Sequence, residues 1–220
     1  SFTYVETMGL LFAGKIVGDS LGYTRTVADP NTDGLDARVI RRMRPRIEPR
    51  VVGDRETGFD PARRLAMAET MLRAMSLTDG FARLVMLTGH GATTVNNPHA
   101  AGLDCGACGG HSGEANARVA AQILNDPQVR ASLAWRGIRI PDDTWFIGCL
   151  HDTTTDEIRI FDADEVPVSH AQELAQLRGW LARAAALARG ERAPRLGLAV
   201  GDGMDAAVRA RSRDWSQVRP

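Results

Sequence analysis

The chain predicts an α/β fold, a parallel or mixed sheet flanked by helices, on three observations. Leu84, Val85, Met86 and Leu87 form a short unbroken apolar run closed by Thr88 and Gly89, the pattern of a strand buried on both faces. Apolar residues recur at helical spacing on either side of it, through Leu65, Ala68, Leu72 and Met75 before and through Val119, Ile123 and Leu124 after. Between strand and second helix lies a glycine-rich segment with His90, His99, His111, Cys105 and Cys108, most of the chain's five histidines and three cysteines. Open α/β sheets carry their ligands beyond the carboxyl ends of strands, so this segment is the predicted working centre.

The chain divides into an N-terminal helix over 1–22, an irregular arginine-rich arm over 23–59 and an α/β body over 60–220. In the first part Phe2, Val5, Met8, Phe12 and Ile16 recur at three and four, with Leu10 and Leu11 widening the apolar face and Gly9, Gly14 and Gly18 weakening the helix. Such a helix packs in a larger core or docks by its small residues. In the arm the period disappears, Asp29-Pro30-Asn31 and Asp33-Gly34 signal turns, and Arg38, Arg41, Arg42, Arg44, Arg46 and Arg50 crowd together. A run of this kind binds phosphate, lipid head groups or an acidic surface, or else lies solvated and neutralised by nearby carboxylates.

The body opens with Asp60 as cap and Pro61 in the first turn of a helix. Asp79-Gly80 turns the chain into the strand that leads to His90. After the glycine-rich segment, Ser112 and Gly113 open a helix that stops at Asn125-Asp126-Pro127, and a short helix follows through Trp135 to Gly137. Ile138, Ile140, Trp145, Phe146 and Ile147 predict strand material around the Pro141 break, and Ile158 to Phe161 another strand. Between them the segment Cys149 to Glu157 reads as a hairpin turn rich in hydroxyls and carboxylates, or as ligands for a hard cation. His151 is a second-rank candidate near the pocket, and Cys149 is expected to be buried. Ser169 with Gln172 predicts a capping box for a long helix carrying Leu174, Leu177, Leu181, Ala184 and Ala188 and ending at Gly190. Gly201-Asp202-Gly203 is a turn, and the chain closes on a segment with Asp214-Trp215.

Hydrophobic residues make up 44% of the 220, enough for a sizeable core. Lysine plus arginine equals aspartate plus glutamate at 27 each, which gives no sign of nucleic acid or of an anionic membrane as partner. Cysteines this few and this clustered fit metal or thiol chemistry in a reducing compartment, the cytoplasm, better than a disulfide framework. No signal-peptide pattern stands at Ser1. No window is apolar enough for a transmembrane segment, since Glu6 and Lys15 bracket the first candidate and arginines interrupt the last, so any membrane link is expected through a partner.

Within the working centre, imidazole and thiolate are the donors that select zinc. Three readings compete: Cys105 and Cys108 as a structural zinc knuckle without catalysis, the same pair as a redox dithiol, or one of them with His90 at a reactive zinc. Clustered glycines and Asn96-Asn97-Pro98 let the backbone turn closely about an ion. Thr93, Thr94, Asn96 and Asn97 offer hydrogen bonds that orient His90, or that satisfy the loop's own backbone. His99 and His111 are candidate proton carriers or solvated loop residues. Gly109-Gly110-His111-Ser112-Gly113 before a helix resembles an anion cradle, and without a Gly-Lys-Ser/Thr ending it is not an ATP loop.

The stretches GHGATTVNNPHAAGLDCGACGG, GEANARVAAQILN, GIRIPDDTWFIGCLHDTTTD and SRDWSQVRP resemble the DabA family, the zinc-bearing subunit of a bacterial inorganic carbon uptake system. The resemblance implies a β-carbonic-anhydrase-like fold, incomplete in this fragment, and a Zn2+ ion whose ligands include His90 and Cys105 but not Cys108. The family's other two ligands come from an upstream Cys-x-Asp-x-Arg motif, and Cys105 is the first cysteine of this chain, so it carries half of such a site. Family members are several times longer, so the chain reads as an internal piece. The resemblance further implies zinc-hydroxide hydration of CO2 to bicarbonate, coupled to a proton-conducting, DabB-like membrane subunit. The implied location is peripheral, on the cytoplasmic face of the cell inner membrane.

Overall fold

The structure, a computed structural model, describes residues 13–14, 16–18, 34–94 and 102–213, with backbone only at Arg41. Of the opening helix, residues 13–14 and 16–18 are helical, and Phe2, Val5, Met8, Leu10, Leu11 and Phe12 lie outside the described residues. So do Asp29, Pro30, Asn31, Asp33, Asn96, Asn97, Pro98, His99, Asp214 and Trp215.

The arm is not irregular throughout. Asp36 caps a short helix, α1 (Ala37–Arg42), by accepting from the Arg38 N–H, and strands β1 (Arg50–Val52) and β2 (Arg55–Thr57) pair antiparallel about Gly53 and Asp54. This hairpin is exposed on every residue, so it forms a flap rather than part of the core. The arm meets the body through Ile47, whose side chain is buried in the main core, and through Arg44, which pairs with Asp162, Asp164 and Glu165.

The body follows the expected order. Asp60 caps α2 (Pro61–Ala74) by accepting from the Arg63 N–H at 2.8 Å. Next comes β3 (Leu84–Gly91), which runs two residues past the predicted Thr88-Gly89 stop. Gly113 is the N-cap of α3 (Glu114–Asn125), and Asp126 then ends that helix and caps α4 (Pro127–Trp135) by accepting from Gln128 and Val129. Strand β4 (Trp145–Asp152) pairs parallel with β3 in the register Leu84 to Trp145, and β5 (Ile158–Ile160) returns antiparallel on its other side. The resulting three-stranded sheet is mixed, in the order β3-β4-β5.

Helices cover both faces. Because side chains alternate along a strand, Val85, Leu87 and Phe146 face the main core with Ala68 and Leu72 of α2, Ile123 and Leu124 of α3 and Leu133 of α4. Leu84, Met86, Ile147 and Cys149 face the other way, onto Leu174 of α5 (Ala171–Arg192). The last helix, α6 (Met204–Ser212), packs beside α5.

Several expectations are corrected. Leu84 to Leu87 are half-buried rather than buried on both faces, because β3 is an edge strand among the described residues. Ile138 and Ile140 are buried outside any strand; Pro141 and a turn at Asp142-Asp143 separate them from β4. The Ser169-Gln172 capping box does not form. A 3-10 turn over Val168–His170 precedes α5, Ser169 Oγ instead meets His170 Nδ1 at 3.0 Å, and the opposite ring nitrogen meets the Asp143 carbonyl at 2.7 Å. Helix α5 also runs through Gly190 to Arg192, and its buried positions are Leu174, Ala185 and Arg189.

The main core rests on side chains with no exposure at all, Leu72 and Leu133 among them. Leu72→Ala or Leu133→Ala is expected to destabilise the chain by about 2–5 kcal/mol, read as a drop in the urea midpoint at unchanged slope.

Candidate functional site

The C-terminal end of β3 is where the predicted site residues gather, and two glycines bring them there. A Cβ on Gly89 would lie 2.4 Å from the Gly113 carbonyl oxygen, and one on Gly113 would lie 2.9 Å from the Gly89 Cα, so the two backbones touch where no side chain fits. At that contact the Gly113 N–H donates to the His90 carbonyl at 2.7 Å. The long excursion between them is therefore closed on itself at His90. Its near end is tied too: the Ala92 N–H donates to Asp104 Oδ1 at 2.9 Å, and Gly91 packs against Ser112.

Cys105 forms an isolated antiparallel bridge with His111, two residues before Gly113. Between them Gly106–Cys108 make one 3-10 turn, in which the Cys108 N–H donates to the Cys105 carbonyl at 3.0 Å. The neighbouring Cys108 thiol holds the Cys105 thiol below its ordinary pKa, and Cys105 in turn pushes that of Cys108 up. Asn116 Nδ2 of α3 donates in turn to Cys108 Sγ at 3.2 Å. Cys105 is thus the more readily ionised of the two thiols, and Cys108 the one that Asn116 engages.

The backbones of His90 and Cys105 come to the same end of the sheet, but the strand's alternation sets their sides apart. Gly89 and Gly91 face the Asp104–Gly113 loop. His90 shares the opposite face with its register partner His151. His151 Nε2 lies 3.6 Å from Asp156 Oδ1, and Asp156 is also paired with Arg192 at 2.9 Å. His90 and His111 are exposed, and Cys105 is partly so. Among the described residues no group of three or more His, Cys, Asp or Glu side chains is placed to hold a metal. The donor chemistry of His90 and Cys105 suits zinc, as one imidazole and one sulfur held towards its anionic form, and amounts to half of a tetrahedral set.

Two predicted features change character. The amides of the glycine-rich cradle are already used: Gly109, Gly110 and His111 donate to carbonyls of Gly106, Cys105 and Cys108, and Gly113 to His90. No open anion nest remains at those N–H groups. Thr93 does not orient His90; its Oγ1 donates to Asp152 Oδ2 at 2.8 Å, and its N–H to Thr154 Oγ1 at 3.2 Å. Cys149 is buried as expected, and burial pushes its thiol up to about 12.

The turn after β4 is built more tightly than its hydroxyl-rich sequence suggested. Asp152 Oδ1 accepts from the Thr154 hydroxyl and N–H, and the Thr153 N–H donates to Gly91 at 2.8 Å, fastening the turn to the tip of β3. Burial opposes ionisation of Asp152, yet the Thr154 and Thr93 hydrogen bonds outweigh it and leave the carboxyl below its ordinary value. From behind, Arg189 donates to the Thr155 carbonyl and Arg192 to those of Thr153 and Thr154. Sequence reading missed both arginines, which sit on a helix whose pattern marks only apolar packing. It also missed Asp104, which differs from other loop carboxylates only in standing beside Cys105.

A matching family model, Probable inorganic carbon transporter subunit DabA, covers residues 1–220. Over 220 residues the chain is 70% identical to Probable inorganic carbon transporter subunit DabA 2 of Bradyrhizobium sp. (strain BTAi1). Over 219 residues it is 58% identical to a protein of the same description from Roseiflexus castenholzii and 57% identical to one from Chloroflexus aurantiacus. Each match takes in all of this chain but 26% of the relative, so the chain spans about a quarter of their length. No solved structure matches.

Gly89→Ala is expected to lower the denaturation midpoint clearly, whereas Gly190→Ala, in a helix with nothing within 4 Å of the added Cβ, is expected to raise stability by up to about 1 kcal/mol. Asp152 yields a pH test. A carboxyl held down in the folded state contributes stability that is full above its unfolded value, near 3.8, and is lost as pH falls through the folded value. Between neutral pH and strongly acid solution the native chain should therefore lose more stability than Asp152→Asn, as measured by urea titration at each pH.

Proposed function

The chain belongs to the DabA family, and from that premise we propose that it is part of an inorganic carbon uptake complex, supplying one side of a zinc centre that hydrates CO2 to bicarbonate. The observation that carries the reading is the stitching at the tip of β3. A backbone hydrogen bond from Gly113 to His90 and one from the Ala92 N–H to the Asp104 carboxylate bring the His90 and Cys105 segments to a single end of the sheet. Zinc held there would supply the Lewis acidity that makes water a nucleophile near neutral pH.

The residues present do the rest of the work assigned to them. His90 offers a ring nitrogen from an exposed position on the last turn of the strand ladder. Cys105 offers a sulfur that the Cys108 thiol biases towards the anion, which metal binding requires. Two further donors belong to the longer protein. The clamp of Arg189 and Arg192 on the Thr153–Thr155 carbonyls keeps the β4 turn pressed against Gly91, which fixes the strand tip from which His90 projects.

Coupling of hydration to a proton-conducting, DabB-like membrane subunit at the cytoplasmic face of the inner membrane belongs to the same proposal. No helix among the described residues is long and apolar enough to cross a membrane, which suits a subunit that meets the bilayer through a partner. The second reading, a structural knuckle on Cys105 and Cys108, is favoured by the placing of both sulfurs on one 3-10 turn.

Zinc content and CO2 hydration, followed by 18O exchange in the full-length protein, separate the two. His90→Ala and Cys105→Ser are each expected to remove most of the zinc, and Cys108→Ser to leave it largely in place. Zinc lost on Cys108→Ser and kept on His90→Ala is the result that selects the knuckle instead.

A further inference from the structure

Cys108 has no task in the zinc centre as proposed, yet a hydrogen-bonded turn fixes its place relative to Cys105. The two stand three apart across a single 3-10 turn closed by the Cys108 N–H to Cys105 carbonyl bond. A turn closed by such an i to i+3 bond keeps its end Cα atoms within about 7 Å, and disulfides bridge Cα atoms roughly 4.4–6.8 Å apart. Asn116 fixes Cys108 from the side of α3, and Gly109 and Gly110, both at positive φ, turn the chain away so that the pair is left partly open to solvent. The third thiol, Cys149, is fully buried in the sheet and takes no part.

We propose that Cys105 and Cys108 form a reversible disulfide, with Cys108 as resolving thiol, and that closing it withdraws the Cys105 sulfur from zinc and switches the centre off. The oxidant is hydrogen peroxide. The Cys105 thiolate attacks the peroxide oxygen, the O–O bond breaks, and a sulfenic acid forms as the departing oxygen leaves as water. The Cys108 sulfur then attacks the Cys105 sulfur, the S–S bond forms, and the sulfenic oxygen leaves as a second water. Two thiols have lost two electrons and two protons, and one peroxide has taken them up. A dithiol reductant reverses the change by thiol–disulfide exchange. The switch rests on the reading of Cys105 as a zinc ligand; the disulfide itself does not.

The test uses the full-length protein loaded with zinc and treated with hydrogen peroxide. Disulfides are mapped by differential alkylation and mass spectrometry, and released zinc is followed with a chromophoric chelator. The expected result is a Cys105–Cys108 disulfide, loss of the bound zinc in step with it, and recovery of both thiols and zinc binding after dithiothreitol and added Zn2+. Cys108→Ser should start with its zinc and lose it to peroxide without recovery, because Cys105 then passes on to the sulfinic acid. Absence of the disulfide in the wild type, or recovery in Cys108→Ser equal to that of the wild type, overturns the proposal. A disulfide that forms while zinc stays bound overturns the switch. A protein that never held zinc but forms the disulfide overturns the metal reading and leaves the thiol pair standing, so the two failures are told apart.

Discussion

The contact between Gly89 and Gly113 is the constraint on which the site depends. A side chain at either position would drive helix α3 away from strand β3, and with it the hydrogen bond that closes the glycine-rich excursion on His90. A similar approach recurs one strand over, where a Cβ on Gly148 of β4 would meet the Arg118 Cα of α3 at 3.0 Å. Helix α3 therefore lies close along two parallel strands, and its N-terminus is fixed in depth as well as direction. The described residues on either side of that contact, 92–94 and 102–112, inherit their position from that docking.

Arginines, more than apolar packing, then hold the periphery to this frame. Arg118 of α3, with its side chain 10% exposed, grips Asp162 with two nitrogens and Glu114 with a third. Arg44 reaches the same Asp162 from the arm, and Arg159 reaches Glu114 from β5. Asp162 sits at a positive φ of 49°, a conformation costly for a side-chain-bearing residue unless its surroundings dictate it, and these guanidinium contacts do so. The knot joins the arm, α3 and the segment after β5 within one turn of the helix that begins at the site. Removing one partner from such a knot costs more than the pair gains in isolation, because the remaining charge is left poorly solvated.

What the sequence made legible follows from which forces act locally. The order of helix and strand in the body, the Asp60 cap, the helix break at Asn125-Asp126-Pro127 and the burial of Cys149 all rest on neighbours a few positions apart, and all were readable. The extent of β3 was not, because Thr88, Gly89 and His90 have the look of a loop until β4 supplies hydrogen bonds to them. The capping box failed since Ser169 found the ring of His170, a partner that its spacing to Gln172 could not reveal. The cradle of glycines was misread for a related reason. Free amides are a property of what the carbonyls around them do, and here those of Cys105, Gly106 and Cys108 had already claimed them. Arg189 and Arg192 were invisible because a cation among alanines on a helix reads as surface until the turn it clamps is in view.

The pleat of β3 sets the one condition that any metal at this site has to meet. Gly89 and Gly91 look towards the loop that carries Cys105, and His90, between them, looks towards His151. Two donors on opposite sides of a strand cannot converge across it, since the backbone itself lies in the way; they converge only past its end. His90 stands one residue from that end, at Gly91, and Cys105 is carried there by Asp104 bound to Ala92, the first residue beyond it. A histidine two places earlier, at Thr88, would share the same face and yet be shut off from the sulfur by the full width of the sheet. Position along the strand, and not the presence of imidazole and thiol in one loop, is therefore what makes the pairing of His90 with Cys105 chemically sensible.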